Sequence, residues 1–299
     1  MAESLFIDLS GNPIPDDDII GYGGSGVVVR RDGWAIKIPR RHPWSCEADL
    51  QSNIKVLQHE QEVYRRLNLK SDDYGDCIVP CARLCTNAIQ LTVMENGDLR
   101  SYLDKNRPPH SMQIAWFRQM ARALEQIHSK SVILADIASR NFLLDSDFSI
   151  KVCDFSEASI LPLGTIMETA DDDGYSIQTD IGLLGSVFYE VITGQPCDFD
   201  LFEGNDDRAT LPHRLSLPST DTLWMSQIIE KCWVGGFQNA YALSQALEIF
   251  DLEQKKPHIN GKYSIPLPNF RGTLESSYIV LAITLGALAA VTIWARRKT

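Results

Sequence analysis

Apolar positions recur along the chain in two rhythms. From residue 19 to residue 94 they form short runs rich in β-branched residues, at 19–20, 27–31, 34–38, 78–84 and 88–94, broken by glycine and polar residues; this predicts five strands. Residues 46–68 hold no proline or glycine and predict one long helix among those strands. Past residue 98 the rhythm becomes helical. Over 111–130, Ile114, Phe117, Ala121, Leu124 and Ile127 fall on one face, and over 222–234 Ile228, Ile229, Cys232 and Trp233 do the same. Asp98 reads as the N-cap of a short helix. The expectation is an α+β chain: a small five-stranded lobe with one helix at 17–94, and a mostly helical lobe at 98–251. Residues 1–16, with Pro13 and Pro15, read as a flexible lead-in, 196–222 as irregular chain, and 252–277, with Pro257, Pro266 and Pro268, as a linker.

The helical rhythm breaks at 132–157, where three short apolar stretches alternate with carboxylates and amides, as expected of a reaction centre set on strand edges. Asn141 follows Asp136 by five positions and Asp154 follows Asn141 by thirteen. One carboxylate can meet a hydroxyl while the amide and the second carboxylate offer the hard oxygen ligands that Mg2+ requires. Upstream, Gly21, Gly23 and Gly26 allow a hairpin turn to bring N–H groups close to phosphate oxygens. Lys37 lies among apolar neighbours on the third strand. In the long helix, Val63 and Leu67 share a face with Glu60, so Glu60 points inward and Glu62 outward near Arg65 and Arg66.

These pieces together resemble the protein kinase superfamily. Gly21 to Val28 is similar to its G-x-G-x-x-G-x-V loop, Ala35-Ile36-Lys37 to the end of its Val-Ala-Ile-Lys strand, Asp136 and Asn141 to its catalytic loop, and Asp154-Phe155-Ser156 to its Asp-Phe-Gly. The resemblance implies a bilobal kinase fold and the cofactors ATP and Mg2+. It implies that Lys37, held by Glu60, grips the phosphates; that Val28, Ala35 and Met94 line the base; and that Glu95 and Gly97 offer backbone groups to the adenine edge. Asp136 would be the catalytic base, Asn141 and Asp154 the metal ligands, and Asp180 a brace for the catalytic loop.

The departures from that family are specific. Ala135 replaces the arginine before the catalytic aspartate. Ala138 stands where Ser/Thr-directed members place a lysine, and Arg140 resembles the pattern of tyrosine kinases. Glu168, which is similar to the glutamate of Ala-Pro-Glu, follows Asp154 by only fourteen positions. The arginine expected to pair with Glu168 is missing, with Ala240 and Tyr241 in its region.

The formal net charge of -11 argues against nucleic acid as a partner. Seven cysteines without metal spacing read as free thiols in a reducing cytosol, and the first residues lack a secretory pattern. Residues 278–295 are eighteen without a charge, spanning about 27 Å as a helix, with Tyr278 and Trp294 at its ends and a basic tip at 296–299. They predict a single transmembrane helix of the tail-anchor kind. Similar anchors favour the mitochondrial outer membrane over the ER or other endomembranes. The expected function is an ATP-dependent protein kinase, its domain cytosolic, acting on a protein substrate or partner on the same membrane. The alternatives are a nucleotide-binding pseudokinase serving as a membrane-bound interaction module, and a kinase for a small molecule or lipid.

Overall fold

The computed structural model describes residues 4–67, 77–203 and 207–255. Five antiparallel strands, β1 (Ile19–Tyr22), β2 (Gly26–Arg31), β3 (Trp34–Pro39), β4 (Cys81–Cys85) and β5 (Ala88–Thr92), form a sheet in the order β1-β2-β3-β5-β4. The register sets Val28 opposite Lys37, and Arg30 opposite Ala35. Alternation along β2 then sends Val28 to one face and Val27 and Val29 to the other.

The face carrying Val27 and Val29 has its own cover. Phe6 and Ile14, 2% and 1% exposed, pack on these two valines. Residues 4–15, expected as a flexible lead-in, instead fold back on themselves through an Ile7–Pro13 bridge and an Asp8 carboxylate that accepts the Ser10 and Asn12 N–H groups. Phe6 and Ile14 anchor this stretch, while most of its other residues stay exposed.

The fourth and fifth strands are shorter than their apolar runs. Pro80 has no N–H to give a ladder. Its carbonyl accepts from Thr92, while Val79 and Cys77 exchange hydrogen bonds with Val152 of the large lobe. Residues 77–79 therefore stitch the two lobes together rather than extending the sheet.

Helix α1 (Glu47–Leu67) lies against the sheet and buries Leu57, Glu60, Val63, Tyr64 and Leu67, with Glu62 exposed. The large lobe is built on α2 (Leu99–Lys105), α3 (His110–Ser129), α4 (Ile177–Thr193), α5 (Ser226–Trp233) and α6 (Ala240–Lys255). Asp98 caps α2 by accepting from the Ser101 N–H, and a Ser176–Thr179 capping box opens α4. Trp116, Phe117, Phe188, Ile229 and Trp233 fill the core between these helices. The expected helix at 222–234 begins only at Ser226, after a run of turns, and α6 takes the first residues of the expected linker. The rest of that linker, the 278–295 segment and the basic tip lie outside the described residues. Among the described residues no helix is long and apolar enough to cross a membrane.

Candidate active site

Short strand pairs carry the site. Strand β6 (Val132–Ile133) pairs with β9 (Ser159–Ile160), and β7 (Phe142–Leu144) with β8 (Ile150–Val152). The loop from β6 to β7 holds Asp136 and Asn141, and Asp154 follows β8. Ala135 and Asp154 both take left-handed backbone, at φ 63° and 62°. A non-glycine residue there needs outside support. At Ala135 it comes from Asp180 on α4, whose carboxylate accepts the Leu134 and Ala135 N–H groups at 2.8 and 2.9 Å and meets His128 Nε2 at 2.8 Å. Asp180 is fully buried, which makes this brace rigid.

Lys37 ties the two lobes together. Its Nζ lies 2.6 Å from Glu60 Oε2 and 2.9 Å from Asp154 Oδ1. Burial pulls the Lys37 pKa down, but the two carboxylates more than offset this and hold it above its ordinary value. Burial pushes the Glu60 carboxyl up against the opposing pull of Lys37. At Asp154, burial is outweighed by Lys37 and by the Ser156 hydrogen bond, so its carboxyl sits below the ordinary range. The Phe155 N–H donates to Glu60 at 3.4 Å, and the Phe155 ring meets Tyr64 edge-on at 5.0 Å, seating the Asp154 loop under α1.

Asn141 Nδ2 donates to both the Asp136 carbonyl and its Oδ2, each at 3.0 Å. Arg140 grips both oxygens of the same carboxylate at 2.6 and 2.8 Å. With its Nδ2 so committed, Asn141 has its Oδ1 left to offer a cation, and Asp154 can share its carboxylate between Lys37 and a metal. Among the described residues no group of three or more His, Cys, Asp or Glu could hold a metal alone. Two oxygen ligands completed by phosphate oxygens and water are what Mg2+ accepts, so these residues fit that ion.

The glycine turn is open. A Cβ on Gly21 or Gly23 would meet nothing within 4 Å, whereas one on Gly26 would come 2.9 Å from Lys37 Cε, so Gly26 makes room for the lysine. Val28 is half-buried, and Ala35 and Met94 are buried behind it.

The Gly97 N–H donates to the Met94 carbonyl at 3.3 Å, and its carbonyl accepts from Leu144 at 2.8 Å. The Glu95 side chain forms an ion pair with Arg30 at 3.0 Å. Sequence reasoning also missed Asn239, which donates to Glu168 at 3.0 Å and takes the place of the absent arginine. It sits one position before the window in which an arginine was sought, and an uncharged partner left no charge pattern to read.

Residues 47–162 match the family model described as protein tyrosine and serine/threonine kinase. The chain is 27% identical over 224 residues to a probable serine/threonine-protein kinase of Arabidopsis thaliana, covering 64% of this chain and 55% of that protein. It is 26% identical over 251 residues to a fibroblast growth factor receptor of Strongylocentrotus purpuratus, covering 72% and 26%. To a tyrosine-protein kinase receptor of Xenopus tropicalis it is 24% identical over 233 residues, covering 70% and 25%. Fold and matches support the protein kinase-like superfamily. The chain spans about half or less of the length of these curated relatives. Both serine/threonine- and tyrosine-protein kinases stand among these relatives.

Proposed function

We propose that the chain transfers the γ-phosphoryl group of ATP to a protein hydroxyl. The observation that carries this reading is Lys37 held at once by Glu60 and Asp154, beside an Asp136–Asn141 pair. Lys37 would give up part of its hold on Asp154 to bind phosphate oxygens, with Glu60 fixing its position. Asp136, oriented by Asn141 and Arg140, would take the proton of the acceptor hydroxyl as that oxygen bonds to phosphorus and the bond to the departing diphosphate breaks. Bound between Asn141 and Asp154, Mg2+ would neutralise the phosphate charge. The test is transfer of radiolabelled γ-phosphate by the full-length protein to protein acceptors, with D136N as control. No transfer by the native chain to any acceptor, despite Mg-ATP binding, would overturn it.

A pseudokinase reading draws support from Arg140, which occupies both oxygens of Asp136. Binding without transfer is its signature. The short segment after Asp154 supports lipid or small-molecule acceptors as a third arm of the same assay.

Membrane tethering through 278–295 belongs to this proposal and rests on that uncharged stretch alone. Deleting 278–299 would move the chain from a carbonate-resistant pellet to the soluble fraction. A full-length chain stripped by carbonate would refute the anchor.

A further inference from the structure

Arg40, the residue after β3, stands where three segments of the small lobe meet. Its Nη1 donates to the Gly23 carbonyl at 2.8 Å, and its backbone N–H donates to the Ser25 carbonyl at 2.8 Å. Its own carbonyl accepts from the Asn53 side-chain amide of α1, again at 2.8 Å. The next residue is clipped to the lead-in: Arg41 Nη1 donates to the Leu9 carbonyl at 3.0 Å, and the Arg41 carbonyl accepts from the Ile7 N–H at 2.9 Å. Arg40 and Asn53 are both half-buried. The turn that Arg40 holds is closed across its mouth by the Gly23 N–H, which donates to the Gly26 carbonyl at 2.9 Å.

In a planar trans peptide the carbonyl and the N–H point opposite ways. The 23–24 and 25–26 peptides both turn their carbonyls toward Arg40, so the Gly24 and Gly26 N–H groups both turn away from it. Neighbouring N–H groups aligned in this way make a concavity that takes an anion, and the Lys37 side chain passes beside Gly26. We propose that Arg40 is a positioning residue for the nucleotide phosphates: it holds the glycine turn by the Gly23 and Ser25 carbonyls, and Asn53 holds Arg40 to α1, the helix that carries Glu60. The proposal rests on the phosphoryl-transfer reading and adds a link that the Lys37–Glu60 pair does not make. A shift of α1 reaches the phosphates by two routes, from Glu60 to Lys37 and from Asn53 through Arg40 to the turn. Without the guanidinium the 23–24 peptide, with glycine on both sides, rotates freely, and its N–H loses its direction. Only a ligand that carries phosphate gains from that direction, so the loss is confined to such ligands.

Two ligands separate the possibilities on the full-length protein: Mg-ATP, titrated by calorimetry, and adenosine, measured by competition against it. The expected result is that R40A weakens Mg-ATP by about two- to ten-fold, the worth of one hydrogen bond, and leaves adenosine within about two-fold. R40K, whose ammonium can still donate to the Gly23 carbonyl, recovers most of that loss. N53A, which keeps the guanidinium, weakens Mg-ATP with the same selectivity. Equal weakening of both ligands in R40A would show a general loosening of the small lobe and overturn the proposal. Native affinity for Mg-ATP in R40A, or an R40K chain that binds no tighter than R40A, would overturn it too, while leaving phosphoryl transfer standing. Where R40A does not fold, N53A decides the matter on the same two ligands: native affinity for Mg-ATP, or equal loss of both, overturns the proposal. A native chain that binds no Mg-ATP would sink the phosphoryl-transfer reading and this inference with it.

Discussion

Lys37 and Glu60 form a dry ion pair: Nζ lies 2.6 Å from Oε2, and the two residues are 7% and 1% exposed. The carboxylate sits above its ordinary value of 4.5, with burial as the largest cause. On acidification Glu60 therefore takes up its proton before an unfolded-state glutamate does. The folded state binds that proton more tightly than the unfolded chain, so this group's uptake does not destabilise the fold as pH falls toward 4.5. It does remove the charge that fixes Lys37. Mg-ATP affinity is expected to weaken as pH falls, beginning above the ordinary glutamate value of 4.5, over a range in which this group costs no thermal stability. Calorimetric titrations across that range check it, and E60Q should flatten the acid limb. A limb that persists in E60Q assigns it to another group.

Asp136 takes no part in that pair. Its carboxylate is held by Arg140 and Asn141 and sits on a loop braced from α4. D136N is expected to keep Mg-ATP affinity within a few-fold while transfer falls by roughly 10²- to 10⁴-fold, the usual contribution of a positioned base. Equal transfer by variant and native chain would remove Asp136 from catalysis.

Asp180 accepts three hydrogen bonds in a fully buried place. In D180N the amide has one oxygen where the carboxylate had two, and its NH2 faces a backbone N–H. Urea unfolding of D180N is expected to show a loss of about 3 kcal/mol, the scale of stranding buried partners of a charged group. A loss under about 1 kcal/mol would mean the left-handed backbone at Ala135 is held elsewhere.

Much of this was legible in the sequence. The face shared by Glu60, Val63 and Leu67 placed the glutamate inward, and the resemblance to the kinase family implied that Asp180 braces the loop. What stayed hidden depends on pairings between distant segments. Leu144 meeting the 96–97 turn, Val152 meeting residues 77–79, and Asn239 meeting Glu168 all join residues whose separation no local rhythm reports. The lead-in failed for a different reason. Phe6 and Ile14 are too few to make a period, yet the outer face of β2 needed a cover.

That cover is itself open to test. Phe6 is 2% exposed among Ile14, Val27 and Val29, and its ring lies 5.3 Å from Tyr22 in the glycine turn. F6A should lose about 3–5 kcal/mol by chemical denaturation, as full truncation of a core aromatic does. Loss under about 1 kcal/mol would return 4–15 to the status of a flexible lead-in.

The last prediction concerns control. In a kinase-like site α1 must be seated before Glu60 can hold Lys37, and a long segment after Asp154 can carry a phosphate that seats it. Here the seat is already made. His59 Nε2 meets the Ala158 carbonyl at 2.5 Å, Arg66 donates to the Leu161 carbonyl at 2.8 Å, and Phe155 donates to Glu60. The segment's own hydroxyls are engaged as well: Ser159 donates to Asp172 and Thr165 to the Pro162 carbonyl, each at 2.6 Å. S159A and T165A, alone or together, are expected to change transfer by less than about two-fold, as surface changes worth within about 0.5 kcal/mol do. R66A unseats α1 without touching a phosphate acceptor and should lower the rate more than either. A ten-fold fall in the double alanine chain, restored by carboxylates at the same positions, would show that phosphate on this segment is the switch after all.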